Sequence, residues 1–291
     1  MHKVIYKNNY QENICFTEWP YMLTGGTIFD GEWDEIENDD HIQGWEKKIQ
    51  DKKLSFDVAS VGMVSLAEAV SRLDDVIEKD IISGYPGRLY VGNSYMNCYL
   101  SESSKERWIN DLDSISMELK VKSDYPFWIT EKLFQFRKKT EMVPVESTTM
   151  VIGMDYDYDY EYEYVYGFSE GSDGTMHHMV NSYDIDSGFK MIIYGPCINP
   201  AIRIAGHLYE LKATLYDDEY AVIDSSTRYS QDRAIYKIQV DGTRVDLFNA
   251  RNKDSEIWKK IPSGRNTVTW NGDFGFDVIL FGEKGVPPWT L

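Results

Sequence analysis

The sequence has no long apolar run. No stretch approaches the roughly 18 consecutive apolar residues that a membrane-spanning helix needs, and residues 1–8 lack the apolar core of a signal peptide. We therefore expect neither membrane insertion nor export. Apolar side chains are still plentiful, at 42% of the 291 residues with 14% aromatic, which is enough for packed cores. A chain of this length favours two domains over one.

Cysteine is scarce as well. The chain has three, Cys15, Cys98 and Cys197, which lie far apart in the sequence. Their odd number and their spacing match neither a disulfide framework nor a zinc site. We therefore expect buried free thiols in a protein that folds in a reducing cytoplasm.

Basic residues are few relative to acidic ones. The chain has 30 Lys and Arg against 48 Asp and Glu, a formal net charge of -18, and neither residues 8–46 nor residues 141–189 contain a Lys or Arg. Binding to nucleic-acid phosphates needs clusters of Lys and Arg, so the composition predicts no specific nucleic-acid binding. Seven acids lie close together in the first of these stretches: Asp30, Glu32, Asp34, Glu35, Glu37, Asp39 and Asp40. The simplest interpretation of these acids is a solvated surface that keeps the protein soluble.

Motifs of catalytic and cofactor sites are missing too. The sequence has no phosphate-binding glycine loop, dinucleotide fingerprint or Cys–His cluster. Ser94 has Met96 at the position where a nucleophile elbow requires glycine, and His177 and His178 would point in opposite directions on an extended chain. We predict a protein that is not an enzyme and uses no cofactor or metal. A carboxylate pair for glycoside hydrolysis stays open among 48 acids, because the separation of such a pair depends on the fold.

The most regular feature that is present is an alternation of acids and tyrosines. In a β-strand this pattern places the rings on one face and the carboxylates on the other, whereas a helix would scatter both around its axis. It predicts a strand or an extended arm whose rings pack between domains or between subunits. The packing candidates are Tyr156, Tyr158, Tyr160, Tyr162, Tyr164 and Tyr166.

A calcium site is the alternative interpretation of the same segment. The spacing of Asp155, Asp157 and Asp159 matches the start of an EF-hand loop. Tyr160 occupies the position at which that loop needs glycine, and no flanking helix pattern appears. The alternation therefore favours the strand.

The N-terminal half mixes one helix with strands. Ser65 and Glu68 fit a capping box, and apolar residues recur at helical spacing until Gly84. A hairpin is predicted at Gly92-Asn93, and residues 115–122 alternate as a further strand. By themselves these elements indicate an α+β domain.

The C-terminal half predicts a β-sandwich. Residues 209–215, 236–247 and 274–280 alternate between apolar and polar side chains, and Asp241-Gly242 has the chemistry of a two-residue hairpin turn. Strands at intervals near ten residues, separated by Gly, Asn, Asp and Pro, are typical of a sandwich.

From Gly195 onward the order of elements resembles the C-terminal half of the distal tail proteins (Dit type) of long-tailed bacteriophages. The resemblance is carried by Gly-Pro-Cys-Ile-Asn-Pro at 195–200, Ile-Pro-Ser-Gly-Arg-Asn at 261–266, the Trp-Asn-Gly corner at 270–272 and a final Phe-rich strand. More loosely, the helix, the hairpin, the alternating strand and Pro-Phe-Trp at 126–128 resemble the ring-forming belt domain of that family.

The resemblance implies a mainly β fold. Its first domain would be a belt-type split β-barrel with one helix, over residues 1–145, and its second a galectin-like β-sandwich, over residues 146–291. It also implies a structural role in the baseplate at the tail tip of the virion. The protein would be made in the host cytoplasm and assembled as a homo-hexameric ring.

The same resemblance implies particular partners. The ring would connect the tail tube protein to the tail-associated or tail-fibre protein, with the tape measure protein a further candidate, and would leave a channel for DNA. The seven acids named above are then candidates for lining this channel. The alternative function is a carbohydrate-binding module for host cell-wall polysaccharide. Residues 248–252 lack the histidine and proline of the sugar-binding His-x-Asn-Pro-Arg stretch of galectins, which disfavours that alternative.

Overall fold

The structure, a computed structural model, describes residues 3–38, 41–105, 113–139, 177–226 and 233–288. Within these ranges the chain is mainly β, with one α-helix and one short 3-10 helix, which confirms the predicted fold class. The chain forms two compact units. Unit 1 comprises Met1–Glu131 and Gly282–Leu291, and unit 2 comprises Lys132–Phe281. The boundary predicted after residue 145 lies outside the described residues.

The first twelve elements in chain order are β1 (Val4–Lys7), β2 (Asn13–Cys15), β3 (Thr17–Glu18), β4 (Tyr21–Gly26), β5 (Asp34–Asn38), β6 (His41–Glu46), β7 (Gln50–Ala59), α1 (Leu66–Ser83), β8 (Gly87–Val91), β9 (Ser94–Lys105), β10 (Ser114–Ser123) and β11 (Trp128–Phe136). In unit 1 the strands pair in the order β11-β9-β10-β7-β4-β3, and β1 pairs with β2 and with β8. Strands β5 and β6 form a separate two-stranded sheet.

The predicted helix and hairpin are confirmed. Ser65 and Glu68 form the capping box, and Gly84 ends α1 in the left-handed conformation at φ 71°, which glycine adopts without strain. Ser94 pairs with Val91 across the Gly92-Asn93 turn. The helix packs its apolar stripe, including Leu73, on the core of unit 1.

Asp80 anchors the far end of α1. Its carboxylate is fully buried and accepts hydrogen bonds from the hydroxyl of Tyr6 at 2.6 Å and from the backbone N–H of Asn9 at 2.8 Å. Burial raises the pKa of this carboxyl, although both hydrogen bonds oppose the shift. The helix is therefore fixed to β1 by a polar contact as well as by its apolar face.

The later elements are β12 (His177–Asn181), β13 (Gly188–Tyr194), β14 (Cys197–Ile198), β15 (Ala201–Ile204), β16 (His207–Glu210), β17 (Thr214–Leu215), β18 (Tyr220–Asp224), β19 (Ala234–Ile238), β20 (Arg244–Asp246), the 3-10 helix (Phe248–Ala250), β21 (Gly264–Trp270) and β22 (Phe276–Lys284). One sheet of unit 2 has the order β20-β19-β18-β13-β22, and a second has the order β12-β21-β15-β16. Their buried faces share one apolar core, so the predicted sandwich is confirmed.

Two local predictions in unit 2 are wrong. Asp241-Gly242 is not a two-residue hairpin turn, because Ile238 pairs with Arg244 and the loop is longer; Gln239 donates its N–H to the carbonyl of Thr243. The strand predicted over residues 209–215 is two short strands, since the N–H of Lys212 turns to the carbonyl of Ala250 instead of a neighbouring strand. In the second case a hydrogen bond to a loop carbonyl replaces a ladder bond.

The cysteines are free, as predicted, but only Cys98 is fully buried; Cys15 and Cys197 are half-buried. Burial raises the pKa of the Cys197 thiol to about 11 and raises that of Cys98 further. A raised thiol pKa disfavours the reactive thiolate at neutral pH.

Candidate assembly surfaces

The predicted acidic residues lie on one exposed segment of unit 1. Asp30 and Glu32 are exposed in the loop that precedes β5, and Asp34, Glu35 and Glu37 lie on β5 itself. Asp39 and Asp40, which follow β5 in the sequence, lie outside the described residues. The structure thus brings five of the seven candidates into one continuous surface segment.

The hairpin formed by β5 and β6 also exposes large apolar side chains. Ile36, Ile42 and Trp45 are 41%, 53% and 55% exposed. Glu35 lies opposite Trp45, and a bulge separates the Ile36 and Glu37 pairs. A two-stranded hairpin is marginally stable in water by itself, and exposed apolar side chains on both strands make this hairpin a candidate contact surface.

A cation and two aromatic rings hold the base of this hairpin. The ring of Trp33 meets that of Phe127 edge to face at 5.9 Å. The Lys47 ammonium lies 5.1 Å from the Trp33 ring centroid and donates a hydrogen bond of 2.7 Å to the carbonyl of Gly285. Burial lowers the pKa of Lys47. A side chain on Gly285 would collide with Trp33, which explains glycine at this position.

The loop before the hairpin is held by a second, more deeply buried lysine. Lys52 is 5% exposed, and its ammonium donates hydrogen bonds to the carbonyl of Asp30 and, at 3.4 Å, to that of Thr27. Burial lowers the pKa of Lys52, and the nearby Asp30 and Glu32 carboxylates oppose this shift. Residues 27–30 therefore have a fixed position from which the acidic segment begins.

The remaining predicted candidates fall outside the described chain. The six tyrosines at 156, 158, 160, 162, 164 and 166, and the aspartates of the calcium alternative, belong to the range 140–176 that the structure does not describe. Within the described ranges, no group of three or more His, Cys, Asp and Glu is arranged to hold a metal ion. No helix in those ranges is long and apolar enough to cross a membrane.

Sequence reasoning found the acids of the hairpin but missed its apolar residues and both lysines. Trp33, Ile36, Ile42 and Trp45 stand among the acids at irregular spacing, so no periodicity marks them. Lys47 and Lys52 act through contacts with residues distant in sequence, which no local pattern reports.

No family model and no curated protein matches the sequence. Solved structures do match over nearly the whole chain. A chain of the phage P2 baseplate in its activated conformation with Ca has a TM-score of 0.62 and 14% identity, and the match covers 98% of this chain and 99% of that one. A P2 baseplate chain from a structure with Sr gives the same TM-score and identity.

The Dit protein of phage SPP1, described as a paradigm of the hub adsorption apparatus of phages that infect Gram-positive bacteria, also matches. Its TM-score is 0.55 at 6% identity, and the match covers 98% of this chain and 99% of that one. At these identities the likeness establishes a shared fold. The resemblance to Dit-type proteins that the sequence predicted is therefore confirmed at the level of the fold.

Proposed function

We propose that this protein is a structural subunit of a bacteriophage tail tip and that six copies of it form a ring. The observation that carries the proposal is the match of both units together, over 98% of the chain, to baseplate and hub proteins. A match that spans both units favours a shared architectural role over the reuse of one domain.

The hairpin β5–β6 is the contact between neighbouring subunits in this proposal. A closed ring needs a heterologous interface, in which one surface of a subunit meets a different surface of the next. Ile36, Ile42 and Trp45 supply the apolar part of such a surface, and Trp33, Phe127 and Lys47 hold it in place. Aromatic residues at the centre of an interface contribute most of its free energy.

The acidic segment lines the channel in the same proposal. Asp30, Glu32, Asp34, Glu35 and Glu37, together with Asp39 and Asp40, would repeat around the ring and give a strongly negative lumen. Glu35 and Glu37 pair across the hairpin with Trp45 and Ile42, so in this proposal they lie where the subunit contact meets the lumen. Like charge keeps DNA from adhering to the wall as it passes. The tyrosine ladder from Tyr156 to Tyr166 is proposed to pack between the domains or between subunits, with its rings buried.

The proposed ring joins the tail tube protein to the tail-associated or tail-fibre protein, with the tape measure protein as a further candidate partner. Its location is the tail tip of the virion, after synthesis in the host cytoplasm. The role is structural and involves no catalysis. The negative charge of the chain supports the expected lack of specific nucleic-acid binding.

Native mass spectrometry and light scattering across a concentration series test this proposal. We expect hexamers that dissociate when Ile42 and Trp45 are both replaced by serine. The matched control replaces Ile198 and Val240, exposed apolar residues of unit 2, by serine and should assemble like the unmodified protein. Equal assembly of both variants would refute the hairpin contact. Discrete oligomers of another order would refute the hexamer.

A further inference from the structure

Unit 2 carries a cluster of two arginines and two aromatic rings beside the edge strand β20. We call Arg233, Phe248, Arg251 and Trp258 the arginine cluster. The guanidinium carbon of Arg251 lies 3.9 Å from the ring centroid of Phe248 and 5.8 Å from that of Trp258. That of Arg233 lies 5.9 Å from Trp258. The two rings are 5.8 Å apart at 34°, so two cations share one aromatic pair.

The backbone fixes this arrangement. Phe248 opens the 3-10 helix and Arg251 follows it. Arg251 pairs with Leu211 in an isolated β-bridge, and Lys212 donates its N–H to the carbonyl of Ala250 at 2.6 Å. The Nη1 group of Arg251 also donates to the carbonyl of Phe248. The cluster therefore needs little ordering before it binds a ligand, which favours affinity.

Among the residues that the structure describes, neither cation of the cluster has an acidic partner. Every ion pair found in the described ranges is made by a lysine, and neither Arg233 nor Arg251 lies within 4.0 Å of a carboxylate oxygen there. Residues 244–260 carry five basic and three acidic side chains, in a chain whose net charge is -18. This stretch of the chain thus has the opposite sign to the chain as a whole.

The binding groups remain accessible. Phe248 is 40% exposed, Arg233 is exposed, and Arg251 is half-buried. A guanidinium has five N–H donors in a planar fork, and the described contacts of Arg251 use only its Nη1 group. Forked donors of this kind match the paired oxygens of phosphate and carboxylate groups.

We propose that the arginine cluster is a binding site for an acidic glycan. A phosphate or carboxylate of the glycan accepts hydrogen bonds from the two guanidinium groups, and an adjacent sugar ring packs its C–H face against the exposed part of Phe248. The cluster consists of four side chains, whereas a stable protein interface has roughly 20–30 residues on each side, which favours a ligand of a few sugar units over a docked protein. This function does not depend on ring formation.

The overall negative charge adds a condition to this proposal. At long range it repels any polyanion, so binding depends on the close contacts of the cluster rather than on general attraction. A duplex that interacts along its length would be repelled by the surrounding acids, whereas a short acidic segment reaches the cluster alone. Recognition is therefore expected to distinguish acidic from neutral glycans.

Calorimetric titration of the full chain tests this inference. The probes are a phosphomannan, polygalacturonate, neutral dextran and poly-L-glutamate. We expect one or both acidic polymers to bind and dextran not to bind. The acidic polymer that binds with the higher affinity identifies the preferred oxyanion. Replacement R233Q/R251Q should weaken binding by at least about tenfold. The matched control, R203Q/R265Q, makes the same charge change on the other sheet and should stay within about twofold.

A conservative variant guards against a loss of folding. R251K keeps the charge and loses the fork, so it should weaken binding several-fold while leaving the thermal unfolding temperature unchanged. The inference is overturned if neither acidic polymer binds, if the control variant loses as much affinity as R233Q/R251Q, or if R251K binds like the unmodified protein. Tighter binding of poly-L-glutamate than of either glycan would also overturn it and would identify a protein-docking surface instead.

Discussion

The ammonium group of Lys52 donates a hydrogen bond to the backbone carbonyl of Asp30. A buried lysine is usually matched with a carboxylate; here it contacts the carbonyls of the loop from which the acidic segment begins. Burial lowers the pKa of Lys52, while the Asp30 and Glu32 carboxylates favour its charged form. One cation placed by strand β7 thus helps to fix the start of that segment.

Replacement of Lys52 by methionine should destabilise unit 1. Methionine fills a similar volume but leaves the carbonyl of Asp30 without the Lys52 donor and that of Thr27 with only the N–H of Asp30, which costs about 1–3 kcal/mol of unfolding free energy. The control is Lys53→Met, since Lys53 is exposed and its ion pair with Glu118 contributes about 0–1 kcal/mol. Urea unfolding followed by fluorescence measures both. Equal stability of the two variants would contradict this account of the loop.

The buried carboxyl of Asp80 predicts a pH dependence that Asp80→Asn removes. Its pKa in the folded state is raised above the ordinary value of 3.8, so the folded state binds this proton more tightly than the unfolded state does. The contribution of this carboxyl to the stability of the folded state is therefore largest below pH 3.8, and it is lost as the pH rises through the folded pKa. Asparagine does not titrate, and the hydroxyl of Tyr6 can turn to accept from its amide.

We accordingly expect the unfolding free energy of the unmodified protein, measured relative to that of Asp80→Asn, to decrease as the pH rises from 3 to 7. Chemical unfolding at a series of pH values measures this difference. A difference that stays constant across the range would show that Asp80 keeps its ordinary pKa.

The pair of Glu219 and Lys237 predicts the opposite pH dependence. The N–H of Tyr216 and the ammonium of Lys237, 2.9 Å away, hold the pKa of Glu219 below its ordinary 4.5. This contribution to stability is complete above pH 4.5 and disappears as pH falls through the lowered folded pKa. Glu219→Gln should therefore lower the melting temperature at pH 7 and have little effect at pH 3. The matched control, Glu256→Gln at an exposed position, should leave the melting temperature unchanged at both pH values.

Charge reversal in the acidic segment should make the proposed channel retain DNA. Replacing Asp34, Glu35 and Glu37 by lysine changes the lumen from repulsive to attractive. We expect assembled rings of this variant to hold linear duplex DNA at low salt but not covalently closed circular DNA, which cannot thread a ring. Reversal of Asp184, Asp217 and Asp254 in unit 2 is the control. Co-sedimentation measures retention, and equal retention of both DNA forms would place the segment outside a channel.

Local patterns predicted the elements whose determinants are adjacent in sequence. The cap at Ser65, the left-handed glycine at Gly84 and the Gly92-Asn93 hairpin all depend on residues within a few positions of each other. Ile81 shows the limit of periodicity, because it continues the helical stripe yet is 46% exposed beyond the end of the core. The Asp241-Gly242 turn was mispredicted because its length depends on the register of β19 and β20.

The parts of the candidate surfaces that the sequence did not predict all depend on distant contacts. Lys47 reaches Gly285 and Lys52 reaches Asp30, and Arg233 meets Trp258 across a long separation in the chain. Charge composition located the acidic segment but not the exposed Trp45 beside it. Packing of the tyrosine ladder at Tyr156 to Tyr166 stays a prediction.

Negative-stain electron microscopy of the purified protein across a concentration series tests the central claim most directly. Class averages with sixfold symmetry and an open centre, lost in the Ile42→Ser/Trp45→Ser variant and kept in the Ile198→Ser/Val240→Ser control, are the predicted result. Monomers at every concentration, including in mixtures with a tail tube protein and a tail-associated protein, would contradict the ring.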